Sequence, residues 1–183
     1  MIIGLCGAAG SGKNAAAFHL RRKYGAEHYA FADPLYAAVS VITGLSVLEL
    51  QDRSRKEARL EWLGASPRRL LQTIGTEWGR DTIHPMIWIL ATLRRIDASE
   101  ALYHVITDVR FENEAQAIHD RGGVVWRVVR PGAGLAGVEG RHSSEAGIPD
   151  EMVDDEILND GSLATLNDRV DAAWTRLQNY IMR

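Results

Sequence analysis

Met1-Ile2-Ile3-Gly4-Leu5-Cys6-Gly7-Ala8-Ala9-Gly10-Ser11-Gly12-Lys13-Asn14 opens the chain, and this stretch sets its architecture. Met1 to Cys6 is a short apolar run of the kind that forms a buried strand. It ends in a glycine-rich turn that fits G-x-x-x-x-G-K, and Ala-rich helical sequence follows from Asn14 to Tyr24. In a strand–loop–helix context the glycines let successive backbone N–H groups curl around a polyphosphate. The helix N-terminus adds its partial positive charge, and Lys13 reaches the β- and γ-phosphates. Gly7, Ala9, Gly10, Ser11, Gly12, Lys13 and Asn14 are therefore the expected contacts to the phosphates of a nucleoside triphosphate. The motif asks for Ser or Thr at position 14, to place a hydroxyl on magnesium, and the chain has Asn, whose amide oxygen can still ligate a hard cation. A glycine-rich turn that binds nothing is the alternative.

Away from this loop the pattern of strand followed by helix repeats. Glu27 to Phe31 predicts a second strand, closed by Ala32, Asp33 and Pro34, and Leu35 to Thr43 predicts a helix. Ser46 to Ile96 shows amphipathic stretches without a strand. Leu102 to Val109 and Val124 to Val129 read as strands on either side of a helix at Glu112 to Arg121. Gly132 to Pro149 carries five glycines and reads as a mobile loop, and Val153 to Leu158 is a last strand before a helix at Leu163 to Met182. Strands alternating with helices imply parallel pairing. The expected fold is α/β, with three layers around a central parallel sheet and one domain over residues 1–183. It includes a helical section at about residues 44–98 and a lid-like loop at about 130–149.

Composition narrows the function classes. A hydrophobic fraction of 46% and a charged fraction of 25% exclude a disordered or fibrous chain. The net charge of −3 gives no field that would draw it onto nucleic acid or an anionic membrane. Lys13, Lys23 and Lys56 are the only lysines among 21 basic residues, so 18 are arginines, the side chain that matches phosphate geometry. A GC-rich genome would give the same excess. The single Cys6 excludes an intramolecular disulfide or a cysteine-rich zinc site and fits a cytosolic compartment. No apolar run reaches the roughly 18 residues of a membrane span, and no basic leader precedes the first strand.

A phosphate loop alone does not separate ATPases, GTPases, motors and small-molecule kinases, so the acceptor must be sought in other clusters. They are Phe31-Ala32-Asp33-Pro34-Leu35, the stretch Pro67-Arg68-Arg69-Leu70-Leu71-Gln72-Thr73-Ile74-Gly75-Thr76-Glu77-Trp78-Gly79-Arg80, and Thr107-Asp108-Val109-Arg110-Phe111-Glu112-Asn113-Glu114. With His142-Ser143-Ser144-Glu145 and Leu158-Asn159-Asp160-Gly161-Ser162, they make the chain resemble the deoxynucleoside monophosphate kinases typical of bacteriophages, over nearly its whole length. The resemblance implies a P-loop kinase fold of the nucleoside-monophosphate-kinase type, ATP and Mg²⁺ on the donor side, and a deoxynucleoside monophosphate as acceptor. It implies host cytoplasm as the compartment if the chain is phage-encoded. No nucleic-acid or membrane partner is expected, and a homodimer through the helical section is an assembly the sequence allows.

Each residue carries a functional and a plainer reading. Asp33 stands where the resemblance puts a carboxylate near the acceptor, and it could equally cap a helix before Pro34. Arg68, Gln72, Thr76 and Arg80 recur every four residues and would share one helical face if the segment stays helical through Gly75. By the resemblance Arg68 and Arg80 bind the acceptor phosphate and Gln72 or Glu77 touches base or sugar; otherwise the face is solvated. Asp108 ends an apolar strand as a magnesium-positioning carboxylate does, with Arg110 facing the transferred phosphoryl group, unless both pair with neighbours at the sheet edge. Asn14 and Asp108 are thus the candidate metal ligands, and Lys13, Asp108, Arg110 and Arg130 the catalytic candidates. Arg130 and Arg141 flank or enter the glycine-rich loop, whereas Arg127 alternates along its strand toward solvent. His142 and Glu145 are assigned to the substrate by the resemblance alone. The acidic run at Asp150, Glu151, Asp154, Asp155 and Glu156 reads as a solvated surface. Two rival functions remain open: another small P-loop kinase, acting on ribonucleoside monophosphates or dephospho-coenzyme A, and a nucleotide-binding switch without transfer.

Overall fold

The computed structural model describes residues 1–134 and 147–182. The chain folds as two compact units, Met1–Ala30 with Ser99–Arg183, and Phe31–Ala98.

The first unit is built on β1 (Ile2–Cys6), buried at all five positions. It pairs in parallel with β3 (His104–Ile106) on one edge and with β4 (Val124–Val129) on the other. β2 (Glu27–Tyr29) joins β3, and β5 (Asp155–Leu158) joins β4. The result is a five-stranded sheet in the order β2-β3-β1-β4-β5, parallel throughout. Because alternate residues of a strand point to opposite faces, Ile3 and Leu5 meet α1 (Lys13–Tyr24) and α8 (Leu163–Ile181). Their partners there include Ala16, Ala17, Leu20, Leu166, Val170, Ala173 and Leu177, in one core with Val105, Trp126, Val128 and Ile157. Gly4 faces the other way, and a Cβ there would lie 2.6 Å from the Ile118 side chain of α7 (Glu112–His119), so the glycine leaves that side chain its room. The expected three layers with a central parallel sheet are present.

Local signals end and begin these helices. α1 closes on Gly25 at φ 70°, whose N–H bonds back into the last turn behind Arg21, Arg22 and Lys23. α8 opens on Ser162, whose side chain accepts from the Thr165 amide. The two helices are tied through Asp171, which accepts from Lys23 and Tyr24 and bonds His19, each at 2.7 Å. Tyr24 also stacks on Trp174 at 4.0 Å.

The second unit is helical: α2 (Asp33–Thr43), α3 (Val47–Gln51), α4 (Arg53–Glu57), α5 (Pro67–Gln72), a π-helix (Thr73–Ile83) and α6 (Ile87–Asp97). Its core gathers Val39, Leu50 and Leu71, with Leu35, Tyr36, Leu45, Leu70 and Ile74 against them. Ser46 and Glu49 form a capping box, Asp52 caps α4, and Ser66 caps α5 ahead of Pro67. The segment does stay helical through Gly75, but beyond Gln72 it winds in the wider π form. Two four-residue ladders run along it: Pro67, Leu71, Gly75 and Gly79 are buried, while Gln72 and Thr76 are exposed and Arg68 and Arg80 half-buried. A Cβ on Gly75 would lie 2.8 Å from Leu35, and one on Gly79 2.8 Å from Trp88. The Trp88 indole N–H donates to the Gly75 carbonyl at 2.8 Å.

One expectation is corrected. Arg127 does not point to solvent: its guanidinium binds the Asp150 carboxylate and the Ile148 carbonyl. The acidic run lies at the surface as expected, Asp150, Glu151, Asp154 and Glu156 being exposed, and several of its carboxylates also make bonds. Asp154 accepts from the Val125 N–H at 2.7 Å and pairs with His119, and Asp155 pairs with Arg176.

Partial burial opposes ionisation of Asp171, but the hydrogen bonds from Lys23, His19 and Tyr24 outweigh it and hold the carboxyl at about 2. A folded value below the ordinary 3.8 means that the stabilisation is complete above that pH and is lost as pH falls toward 2. Asp171→Asn is expected to cost about 1 kcal/mol at neutral pH. Denaturant titration checks this, and the gap to wild type should close on acidification below about pH 4.

Candidate functional site

Parallel pairing brings the carboxyl ends of the strands of the first unit to one edge of the sheet, where α/β proteins assemble their sites. The loop after β1 runs from Gly7 to Gly12, and its glycines take left-handed conformations: φ 127° at Gly7, 77° at Gly10 and 111° at Gly12. A Cβ on Gly7 would collide with the Val128 carbonyl, and one on Gly12 would lie 2.5 Å from Asn159 Nδ2. Gly12 is the N-cap of α1 and supplies no side-chain cap, and a helix N-terminus favours an anionic acceptor. Lys13 folds back over the loop and donates to the Gly7 and Ala8 carbonyls at 2.7 and 2.8 Å. Ser11 is buried, and its Oγ has no hydrogen-bond partner among the described residues. Ala9 is half-buried, and Gly10 and Asn14 are exposed. An uncapped helix start, an unsatisfied buried hydroxyl and a loop that only glycine can trace make a cradle for phosphate oxygens.

The turn after β3 carries Thr107, Asp108 and Arg110. Thr107 is buried, its N–H donating to the Tyr29 carbonyl at 3.1 Å and its hydroxyl bonded to His28 at 2.9 Å. Asp108 is half-buried and Arg110 exposed. Their turn is fixed by Glu114, 2% exposed, whose carboxylate accepts from the Arg110 and Phe111 amides at 2.8 and 3.2 Å. Arg130, exposed, follows β4. Among the described residues no group of three or more His, Cys, Asp or Glu could hold a metal ion. Asn14 and Asp108 are oxygen donors suited to a hard cation that brings phosphate oxygens as its other ligands. Burial pushes the Cys6 thiol up, with the neighbouring Arg127 working against it; a buried thiol so raised is not a nucleophile.

In the second unit Asp33 is the first residue of α2, with Ala32 as its N-cap, so its carboxylate lies in the first turn and does not cap. Arg95 lies 3.7 Å from it. Arg68 pairs with Glu57. Gln72, Thr76 and Glu77 are exposed and Arg80 half-buried on the α5–π-helix segment. Lys56 Nζ meets the Tyr36 hydroxyl at 2.5 Å and sits over its ring at 5.0 Å. Arg141, His142 and Glu145 lie outside the described residues.

Sequence reasoning assigned no role to Glu114 or Asn159. Asn159 directly follows β5, 8% exposed, and donates from Nδ2 to the Ser11 carbonyl at 2.8 Å. The available signal was its place: a polar residue at the carboxyl end of a parallel strand is a site candidate.

The model of the family described as deoxynucleotide monophosphate kinase matches residues 46–170. A protein of Acanthamoeba polyphaga mimivirus whose name refers to deoxynucleotide monophosphate kinase is 32% identical over 148 residues, 72% of this chain and 75% of that one. The deoxynucleoside-5′-monophosphate kinase of Escherichia phage T5 is 36% identical over 109 residues, 57% of this chain and 43% of its own length. The chain thus matches less than half of the length of that phage relative. Among solved structures, TT1252 from Thermus thermophilus gives a TM-score of 0.57 at 23% identity over 97% of each chain. The dephospho-CoA kinase of Campylobacter jejuni gives 0.53 at 16% over 96% of each. These two likenesses speak to the fold. Among the described residues no helix is long and apolar enough to cross a membrane.

Gly12→Ala places a methyl group on Asn159 at a φ that side chains rarely adopt. It is expected to cost about 1–3 kcal/mol and to weaken nucleotide binding, as read by thermal melting and by titration with ADP.

Proposed function

The chain belongs to the deoxynucleotide monophosphate kinase family, and on that premise we propose that it transfers the γ-phosphoryl group of ATP to the 5′-phosphate of a deoxynucleoside monophosphate. One observation supports this most: a phosphate loop at Gly7–Asn14, lying outside the matched residues 46–170, is formed between β1 and α1. The loop itself is thus an observation beyond the family model's match, although Asp108 and Asn159 beside it lie within that match.

An oxygen of the acceptor phosphate attacks the γ-phosphorus, the bond to the β–γ bridging oxygen breaks, and ADP leaves with the diphosphate as product. The attacking oxygen is already an anion, so no strong general base is required, and the protein's share is positioning and charge neutralisation. Loop amides from Gly7 to Gly12 and the start of α1 hold the donor phosphates. Lys13 exchanges its two carbonyl partners for phosphate oxygens. Magnesium, when bound at Asn14 and Asp108, would draw charge from the β- and γ-phosphates. Arg110 and Arg130 stabilise the transferring group. Asp33, Arg68, Gln72, Thr76, Glu77 and Arg80 receive the acceptor, with Arg68 and Arg80 on its phosphate.

The test incubates the purified protein with Mg²⁺ and ATP plus each deoxy- and ribonucleoside monophosphate in turn, following ADP and diphosphate by chromatography. Diphosphate is expected from deoxynucleotides, with Lys13→Ala and Arg110→Ala folded but slower by about 10³-fold or more. Binding of ATP without phosphorylation of any monophosphate would remove the acceptor assignment.

A further inference from the structure

Asn159 is held on three sides. Its backbone N–H donates to the Val129 carbonyl at 2.6 Å. Arg169 of α8 binds the carbonyl of Leu158 before it and, at 2.8 Å, the carboxylate of Asp160 after it. The side chain, nine-tenths buried, donates to the Ser11 carbonyl at 2.8 Å, and its Nδ2 fills the space beside Gly12 where a Cβ would stand. A residue of β5 is thereby fastened to the end of β4, one residue before Arg130, and to the centre of the loop after β1.

We propose that Asn159 is a positioning residue for phosphoryl transfer, one that sets the direction of the phosphate-loop amides from a strand that lies two places away in the sheet. The Ser11–Gly12 peptide is planar and, like every described peptide bond, trans. Its C=O and N–H therefore point in opposite directions, and pinning the carbonyl on Asn159 aims the Gly12 N–H away from it. At φ 111° Gly12 has no Cβ to limit rotation, so the loop has little stiffness of its own at the residue before Lys13. The Asn159 amide supplies that stiffness in advance, before any phosphate arrives, so the ordering cost is not charged to nucleotide binding. A carboxylate in its place would lose the donor, oppose the Ser11 carbonyl, and put negative charge beside the anionic ligand. The inference rests on this loop being the nucleotide site.

The test compares wild type with Asn159→Asp, nearly isosteric, and Asn159→Ser, a shorter donor, by calorimetric titration with ADP, by kcat and KM for ATP and for the monophosphate, and by melting temperature. Asp171→Asn serves as a control that loses stability away from the loop. Expected is a rise of about ten-fold or more in the ADP Kd and the ATP KM for Asn159→Asp, a smaller rise for Asn159→Ser, and a monophosphate KM within about two-fold of wild type. Asp171→Asn should lower the melting temperature and leave both nucleotide constants in place. Asn159 variants that melt lower yet bind ADP like wild type would overturn the proposal and leave Asn159 a packing residue. Wild type that binds ADP but phosphorylates no monophosphate would sink the acceptor assignment while the ADP comparison still decides the role of Asn159; wild type that binds no ADP would sink both.

Discussion

Everything in the first unit depends on β1 being paired in parallel on both edges. A strand with neighbours on each side and helices over each face has no solvent-facing residue, so its sequence is a continuous apolar run and not an alternation. Its one departure from bulk, Gly4, leaves room for the Ile118 side chain of α7. Parallel pairing also forces every strand to deliver its carboxyl end to the same edge. Gly7, Thr107, Asp108, Arg130 and Asn159 share that edge through topology, although they are far apart in the chain.

Buried or half-buried polar side chains then fix the loops on that edge and the helices beneath it. Glu114 holds the amides of the Arg110 turn, and Asn159 holds the phosphate loop. Asp171 gathers three donors between α1 and α8. Glu114 and Asn159 satisfy backbone groups that a turn would otherwise leave unpaired away from water, where an unmade hydrogen bond is costly. The Arg110 turn and the phosphate loop are thus each held by a side chain from outside the turn itself.

The second unit solves a different problem, packing several short helices around a small core. Gly75 and Gly79 do this by removing side chains where Leu35 and Trp88 press in, and the π winding keeps four-residue neighbours together, so the polar ladder of Arg68, Gln72, Thr76 and Arg80 survives the change of helix type. Family membership rests mainly on residues 46–170, which include this ladder, and the phosphate loop lies before them.

The order of strands and helices, the parallel sheet and the phosphate loop were legible in the sequence, because each follows from short-range spacing: an apolar run, a glycine turn, an Ala-rich helix. Strand ends were not. Leu102 to Val109 reads as one β-rich run, yet only His104–Ile106 belongs to the ladder, since Thr107 and Val109 leave its register while still donating to the Tyr29 and Leu5 carbonyls. The π winding of Thr73–Ile83 was not legible, since the four-residue spacing reads the same for either helix type. Arg127 and Asp154 read as surface residues, and Glu114 and Asn159 stood in motif clusters without a role of their own, since a polar side chain's role depends on which backbone groups the sheet leaves beside it. By itself the sequence determined which segments form the sheet and where the phosphate loop lies; only tertiary structure decided which polar groups hold that loop, because their partners, Ser11 and Asn159 foremost, are 148 residues apart and meet only when β4 and β5 have been added to β1.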